Sequence, residues 1–134
     1  MKFKSINPYN GEEIGEYNAL TNEELGVKLN NSEKAFSSWR NVTLQERFKL
    51  IQNAGQVLRD NVEEYAKMIT IEMGKPIFES RSEVNKCAWG CDYYAENAKD
   101  FLADERISTD ADTSFVKHDP MGGVLTIMPW NFSF

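Results

Sequence analysis

The sequence predicts a mixed α/β chain, in which an N-terminal hairpin and four helices lead into strands that open a larger sheet. Three observations predict it. A turn cluster, Asn7-Pro8-Tyr9-Asn10-Gly11, separates two short runs with apolar positions. Capping signatures precede stripes of helical period. Near the C-terminus, Gly123-Val124-Leu125-Thr126-Ile127-Met128 has the length and apolar content of a buried strand.

The hairpin rests on Phe3 and Ile6 before the turn cluster and Ile14 and Tyr17 after it. Asn10-Gly11 tolerates positive φ at low cost, which a tight hairpin turn requires. Helix starts follow at Thr21-Asn22-Glu23-Glu24, at Thr43-Leu44-Gln45-Glu46 and, in a looser Asn-capped form, at Asn61-Val62-Glu63-Glu64. In each, a side-chain oxygen can satisfy an orphan amide while the Glu reaches back. The stripes behind them are Leu25, Leu29, Phe36 and Trp39, then Leu44, Phe48, Ile51 and Leu58, then Val62, Tyr65, Ile69 and Met73. Gly74 and Pro76 end the third helix. The fourth and longest presents Ile77, Val84, Ala88, Cys91, Ala95, Ala98 and Leu102 as one buried face. A polar link then leads to a strand over residues 114–118, Asp119-Pro120 breaks it, and the run from Gly123 forms the next.

The net charge of −6 argues against a binder of nucleic-acid backbones. No apolar stretch reaches the length of a membrane span, and the N-terminus lacks the apolar segment of a signal peptide. Two cysteines are too few for a disulfide scaffold. A cytoplasmic location is therefore expected.

Three segments, in order, carry a resemblance. Asn7-Pro8-Tyr9-Asn10-Gly11-Glu12-Glu13-Ile14-Gly15-Glu16 resembles the opening hairpin of the NAD(P)-dependent aldehyde dehydrogenase superfamily. Glu72-Met73-Gly74-Lys75-Pro76, with Glu79 and Glu83-Val84 behind it, is similar to that family's helix-break motif. Pro120-Met121-Gly122-Gly123-Val124 and Ile127-Met128-Pro129-Trp130-Asn131-Phe132 resemble its entry into the dinucleotide-binding domain. The run from Glu83 to Glu96 is most similar to the succinate-semialdehyde branch.

The resemblance implies an aldehyde-dehydrogenase-like fold whose Rossmann-type domain is incomplete here. Its expected parts are a hairpin (1–20), the helical part of the cofactor domain (21–103), a linker with an oligomerisation-type strand (104–119), and the first strand and turn of the dinucleotide-binding domain (120–134). The implied reaction oxidises an aldehyde, succinate semialdehyde among the candidates, to its acid with NAD or NADP. In it a cysteine thiolate attacks the carbonyl, hydride passes to the nicotinamide, and water activated by a glutamate releases the product. Asn131 matches the oxyanion residue, and Ile127, Met128, Pro129, Trp130 and Asn131 match the turn lining the nicotinamide ribose. Read from the residues alone, Asn131 after Pro-Trp is first of all a good turn residue.

The family's Gly-Gln-x-Cys nucleophile setting and Glu-Leu-Gly-Gly base setting do not occur, and no glycine-rich phosphate turn follows the last strand. Ser133 stands where the family usually has proline. The chain is thus expected to be an incomplete stretch of such an enzyme, inactive alone and without useful NAD(P) affinity. The alternative is an interaction module that forms a homo-oligomer or joins a full-length or complementary dehydrogenase chain. A free-standing helical domain is disfavoured, because Trp130, Phe132 and Phe134 would forgo roughly 1.5–3 kcal/mol of burial each.

Other reactive residues have plainer readings. Cys87 and Cys91, at i and i+4 on the fourth helix, read as core thiols rather than a metal site, since one His cannot complete a tetrahedral set. His118 reads as a solvated or hydrogen-bonded strand histidine rather than a base. Asp110-Ala111-Asp112 reads as a polar linker turn rather than a cation site. No metal is expected.

Overall fold

The computed structural model describes residues 1–129; Trp130 to Phe134 lie outside the described residues. Strands β1 (Lys2–Ile6) and β2 (Glu13–Asn18) pair antiparallel, with Phe3 opposite Tyr17 and a bulge between Ser5 and Ile6. The connection is wider than the tight Asn-Gly turn expected. The Asn7 amide donates to the Glu12 carbonyl at 2.9 Å, closing a broad loop in which only Gly11 takes positive φ (76°). Both asparagines accept locally. Asn7 Oδ1 takes the Tyr9 amide at 2.9 Å, and Asn10 Oδ1 takes the Glu12 amide at 3.0 Å. These Asx contacts satisfy the loop without a left-handed asparagine.

Helices α1 (Asn22–Trp39) and α2 (Leu44–Asp60) form both predicted capping boxes. Thr21 Oγ1 accepts from the Glu24 amide at 3.1 Å while Glu24 Oε2 accepts from the Thr21 amide at 2.8 Å. Thr43 and Glu46 repeat the exchange at 3.3 and 3.1 Å. The third cap does not form as expected. Asn61 is the single residue between α2 and α3 (Val62–Met73), and its φ of −118° and ψ of 24° are not the extended geometry that presents an oxygen to the third helical amide. Its Nδ2 instead donates to the Val57 carbonyl at 2.8 Å, closing α2 rather than opening α3.

Gly74, at φ +69°, ends α3, and Pro76 precedes α4 (Ile77–Phe101). The elbow between them is tightly fitted. A Cβ at position 74 would stand 3.0 Å from Pro8 Cγ, and Ser5 Oγ donates to Glu72 Oε1 at 3.0 Å, so the hairpin is hooked to the elbow. Inside the elbow, Lys75 Nζ donates to Glu83, whose side chain is 4% exposed. Thr70 Oγ1 and the buried Ser80 Oγ share a hydrogen bond of 3.0 Å. Arg81 clasps Glu63 with two bonds of 2.8 Å.

The core lies where α2 and α3 pack on α4. Ala66, Ile69, Val84, Ala88 and Ala95 are buried, and Gly55 of α2 is buried against the backbone of α4. The predicted buried face of α4 is therefore confirmed at its middle. It is corrected at Cys91, half-buried between the buried Ala88 and Ala95, and at the ends, where Ile77 and Ala98 are half-buried and Leu102 is exposed. Arg47 fastens the start of α2 to the end of α1. Its Nη2 donates to the Trp39 carbonyl at 2.7 Å, its Nε to the Val42 carbonyl at 3.1 Å, and its guanidinium lies 5.2 Å from the Trp39 ring centre.

Beyond α4 the strand expectations need correction. The predicted strand over 114–118 shrinks to β4 (Phe115–Val116), paired antiparallel with β3 (Glu105–Arg106) inside the stretch read as a polar link. Gly123 to Met128 forms no strand. A strand needs a neighbour to pair with, and the first part of this segment instead borders a cleft along α1 with Leu29, Ser32 and Phe36.

Candidate functional site

Of the residues expected to meet the cofactor, only Ile127, Met128 and Pro129 lie among the described residues. Ile127 and Met128 are 92% and 71% exposed, and Pro129 is also exposed. Trp130 and Asn131, including the expected oxyanion donor, lie outside the described residues. Ile127 to Pro129 by themselves form no cradle that a dinucleotide would fill.

Cys87 and Cys91 are half-buried rather than core, because they border an open groove between α2 and α4, closed at one end by Trp39. Its volume is about 640 Å³, and its walls are Trp39, Leu44, Phe48, Ile51, Tyr94, Ala95, Ala98 and Leu102, with Gly90 and Arg47. Burial pushes the Cys87 thiol above its ordinary value, Glu83 and Cys91 add to the rise, and Lys86 opposes it. A thiol held protonated is a poor nucleophile. Among the described residues, no group of three His, Cys, Asp or Glu side chains could hold a metal ion.

His118 is exposed and lines a cleft of about 290 Å³ with Arg40 and Arg47. It lies just past β4 rather than in a strand. Asp110 and Asp112 are exposed in a turn held by Thr109 Oγ1, which accepts the Ala111 amide at 3.2 Å. The groove is the feature that sequence reasoning missed. Its signal lies in the apolar stripes of the second and fourth helices and in Trp39 at the end of the first.

The model of the family described as "Aldehyde dehydrogenase family" matches residues 1–134. The chain belongs to the aldehyde dehydrogenase family. A probable succinate-semialdehyde dehydrogenase (NADP(+)) of Synechocystis sp. is 38% identical over 134 residues, covering 100% of this chain and 30% of that protein. The succinate semialdehyde dehydrogenase (NAD(P)+) Sad of Escherichia coli is 37% identical over 128 residues, covering 96% of this chain and 28% of the relative. The crystal structure of succinic semialdehyde dehydrogenase from Streptococcus pyogenes, in complex with NADP+, superposes with a TM-score of 0.79 at 30% identity. It covers 84% of this chain and 25% of that one. The helices and short strands described above thus form the N-terminal part of an aldehyde dehydrogenase fold. The chain spans about 30% of the length of the curated relatives it matches. Among the described residues, no helix is long and apolar enough to cross a membrane.

Proposed function

We propose that this chain supplies the N-terminal portion of an NAD(P)-dependent dehydrogenase that oxidises succinate semialdehyde or a close relative, in the cytoplasm. The observation that carries the reading is the identity of 38% and 37% to two proteins named as succinate-semialdehyde dehydrogenases, over nearly the whole of this chain. In a complete enzyme, residues 120–134 would open the dinucleotide-binding domain and Ile127 to Asn131 would line the nicotinamide ribose. The Asn131 side-chain amide would donate to the substrate oxygen as it gains charge, and the thiolate and the water-activating glutamate would come from outside these 134 residues. Cys87 does not stand in for the nucleophile, since its thiol is biased toward the protonated form.

The test is a covalent chimera in which this chain replaces the matching segment of the Synechocystis relative. The chimera should reduce NADP in the presence of succinate semialdehyde, and the 134-residue chain alone should not. Asn131→Ala in the chimera should lower turnover by about 10²–10³, as removal of an oxyanion donor does elsewhere. A chimera that is folded but silent, or an Asn131→Ala variant that is fully active, overturns the reading.

A second reading, as an interaction module, is favoured by a specific observation: large apolar side chains on α1, α2 and the β3–β4 pair stand in solvent.

A further inference from the structure

Arg59 donates to Asp92 and Arg81 to Glu63, so the charge of each is matched inside the chain. Among the described residues, no carboxylate pairs with Arg40 or Arg47. Both line the cleft of about 290 Å³ that also takes in His118. Arg40 caps the end of α1, with its guanidinium 5.5 Å from the Phe36 ring centre. Arg47 enters from the start of α2 and is half-buried. The carbonyls of Trp39 and Val42 fix its fork through Nη2 and Nε, and its other N–H groups remain for a ligand. The acid on the cleft, Asp119, has a side chain 74% exposed and lies 3.4 Å from Lys117, which does not line the cleft. Val42, Leu44, Leu102 and Pro120 make the remaining wall apolar.

We propose that this cleft binds a short-chain aliphatic carboxylate. A guanidinium fork matches a planar carboxylate and stays protonated at any working pH. His118 offers an N–H donor in either of its protonation states. The apolar wall takes the carbon chain and gives a bare, strongly hydrated anion nothing in return for its water. Size narrows the class further. Small-molecule sites run from about 300 Å³ upward, so the cleft suits a ligand of few atoms and not a dinucleotide. Because two backbone carbonyls already hold Arg47, little ordering remains to be done on binding. General attraction is not the cause, since the chain as a whole carries a net charge of −6. The proposal goes beyond the dehydrogenase reading and does not depend on it.

The experiment uses the single histidine of the chain, whose one imidazole Cε1–H proton resonance reports on the cleft. Sodium butyrate replaces sodium chloride at fixed pH and constant ionic strength, and inorganic phosphate is titrated in a parallel series. The expected result is a saturable shift with butyrate in the millimolar range. Arg40→Gln, at an exposed side chain, should weaken butyrate by about tenfold with the far-ultraviolet circular dichroism unchanged. Leu102→Asp, which sets a negative charge in the apolar wall, should abolish the shift. Lys117→Gln, outside the cleft, should leave the affinity as it is. Three results overturn the proposal. The first is no saturable shift up to about 0.1 M butyrate, where screening has removed longer-range attraction. The second is an Arg40→Gln chain that binds butyrate as tightly as the wild type. The third is a phosphate response equal to that of butyrate, which reduces the cleft to an unselective patch of positive charge.

Discussion

The elbow between α3 and α4 and the outer face of α1 and α2 are built from similar residues and end in opposite states. At the elbow, Ile69, Val84 and Ala66 are buried, and the polar groups beside them are hydrogen-bonded to one another. On the outer face Leu25, Leu29, Trp39 and Ile51 keep the spacing of a packed stripe yet stand in solvent. Helical period specifies which side of a helix is apolar. It does not specify that the same chain supplies the cover.

That contrast can be broken or sharpened by substitution in the isolated chain, read by urea unfolding. The largest effect is expected at the buried ion pair. Lys75→Met removes the ammonium from a nearly buried Glu83 and should cost about 3 kcal/mol, with much of it recovered when Glu83→Leu is added. Gly74→Ala comes next. The left-handed φ of +69° costs an L-residue roughly 1–2 kcal/mol, and the new methyl would also press on Pro8, so a loss of about 2 kcal/mol is expected. Gly55→Ala should cost less. Alanine gains about 1 kcal/mol of helix propensity, but its Cβ would sit 3.1 Å from both the Ala88 carbonyl oxygen and Cys91 Cβ. Neither can swing away as a flexible side-chain end would, and overpacking of about 1–3 kcal/mol should leave a net loss near 1. If Gly55→Ala stabilises, the α2–α4 contact is looser than described.

Smaller still is a pH effect. Hydrogen bonds from Arg81 hold the Glu63 carboxyl below its ordinary 4.5. A carboxylate whose folded value is depressed adds stability that is present above its unfolded value and lost as pH falls through the folded one. Arg81→Gln should therefore flatten part of the fall in unfolding midpoint between about pH 5 and pH 3. The smallest effect belongs to the outer face. Leu29→Ser, at a side chain 62% exposed, should change stability by no more than about 0.5 kcal/mol. A loss of several kcal/mol there would mean that α1 is covered within the chain after all.

What the sequence disclosed follows the range of the forces involved. Thr21–Glu24, Thr43–Glu46 and the Gly74 stop are contacts within one turn, so residue identity decides them and they were legible. Asn61 departs from its sequence signature because a residue shared by two helices can serve only one, and its backbone angles and side chain serve the preceding helix, α2. The run from Gly123 to Met128 carries a strand's composition, but pairing is a property of neighbours. The hook of Ser5 on Glu72 and the apposition of Gly55 and Ala88 leave no local trace. The proposed site at Ile127 to Asn131 rests on resemblance alone, and nothing in the residues' own chemistry marks it.

The Ser5–Glu72 hook has a consequence in time. A two-stranded hairpin is marginal by itself in water, and this one is held by a partner 67 residues later in the chain. At about 5–20 residues per second of synthesis, the first strands exist for several seconds before Glu72 is made. The hairpin therefore settles well after it is translated, and the time it spends as a loose end is set by the ribosome rather than by its own sequence.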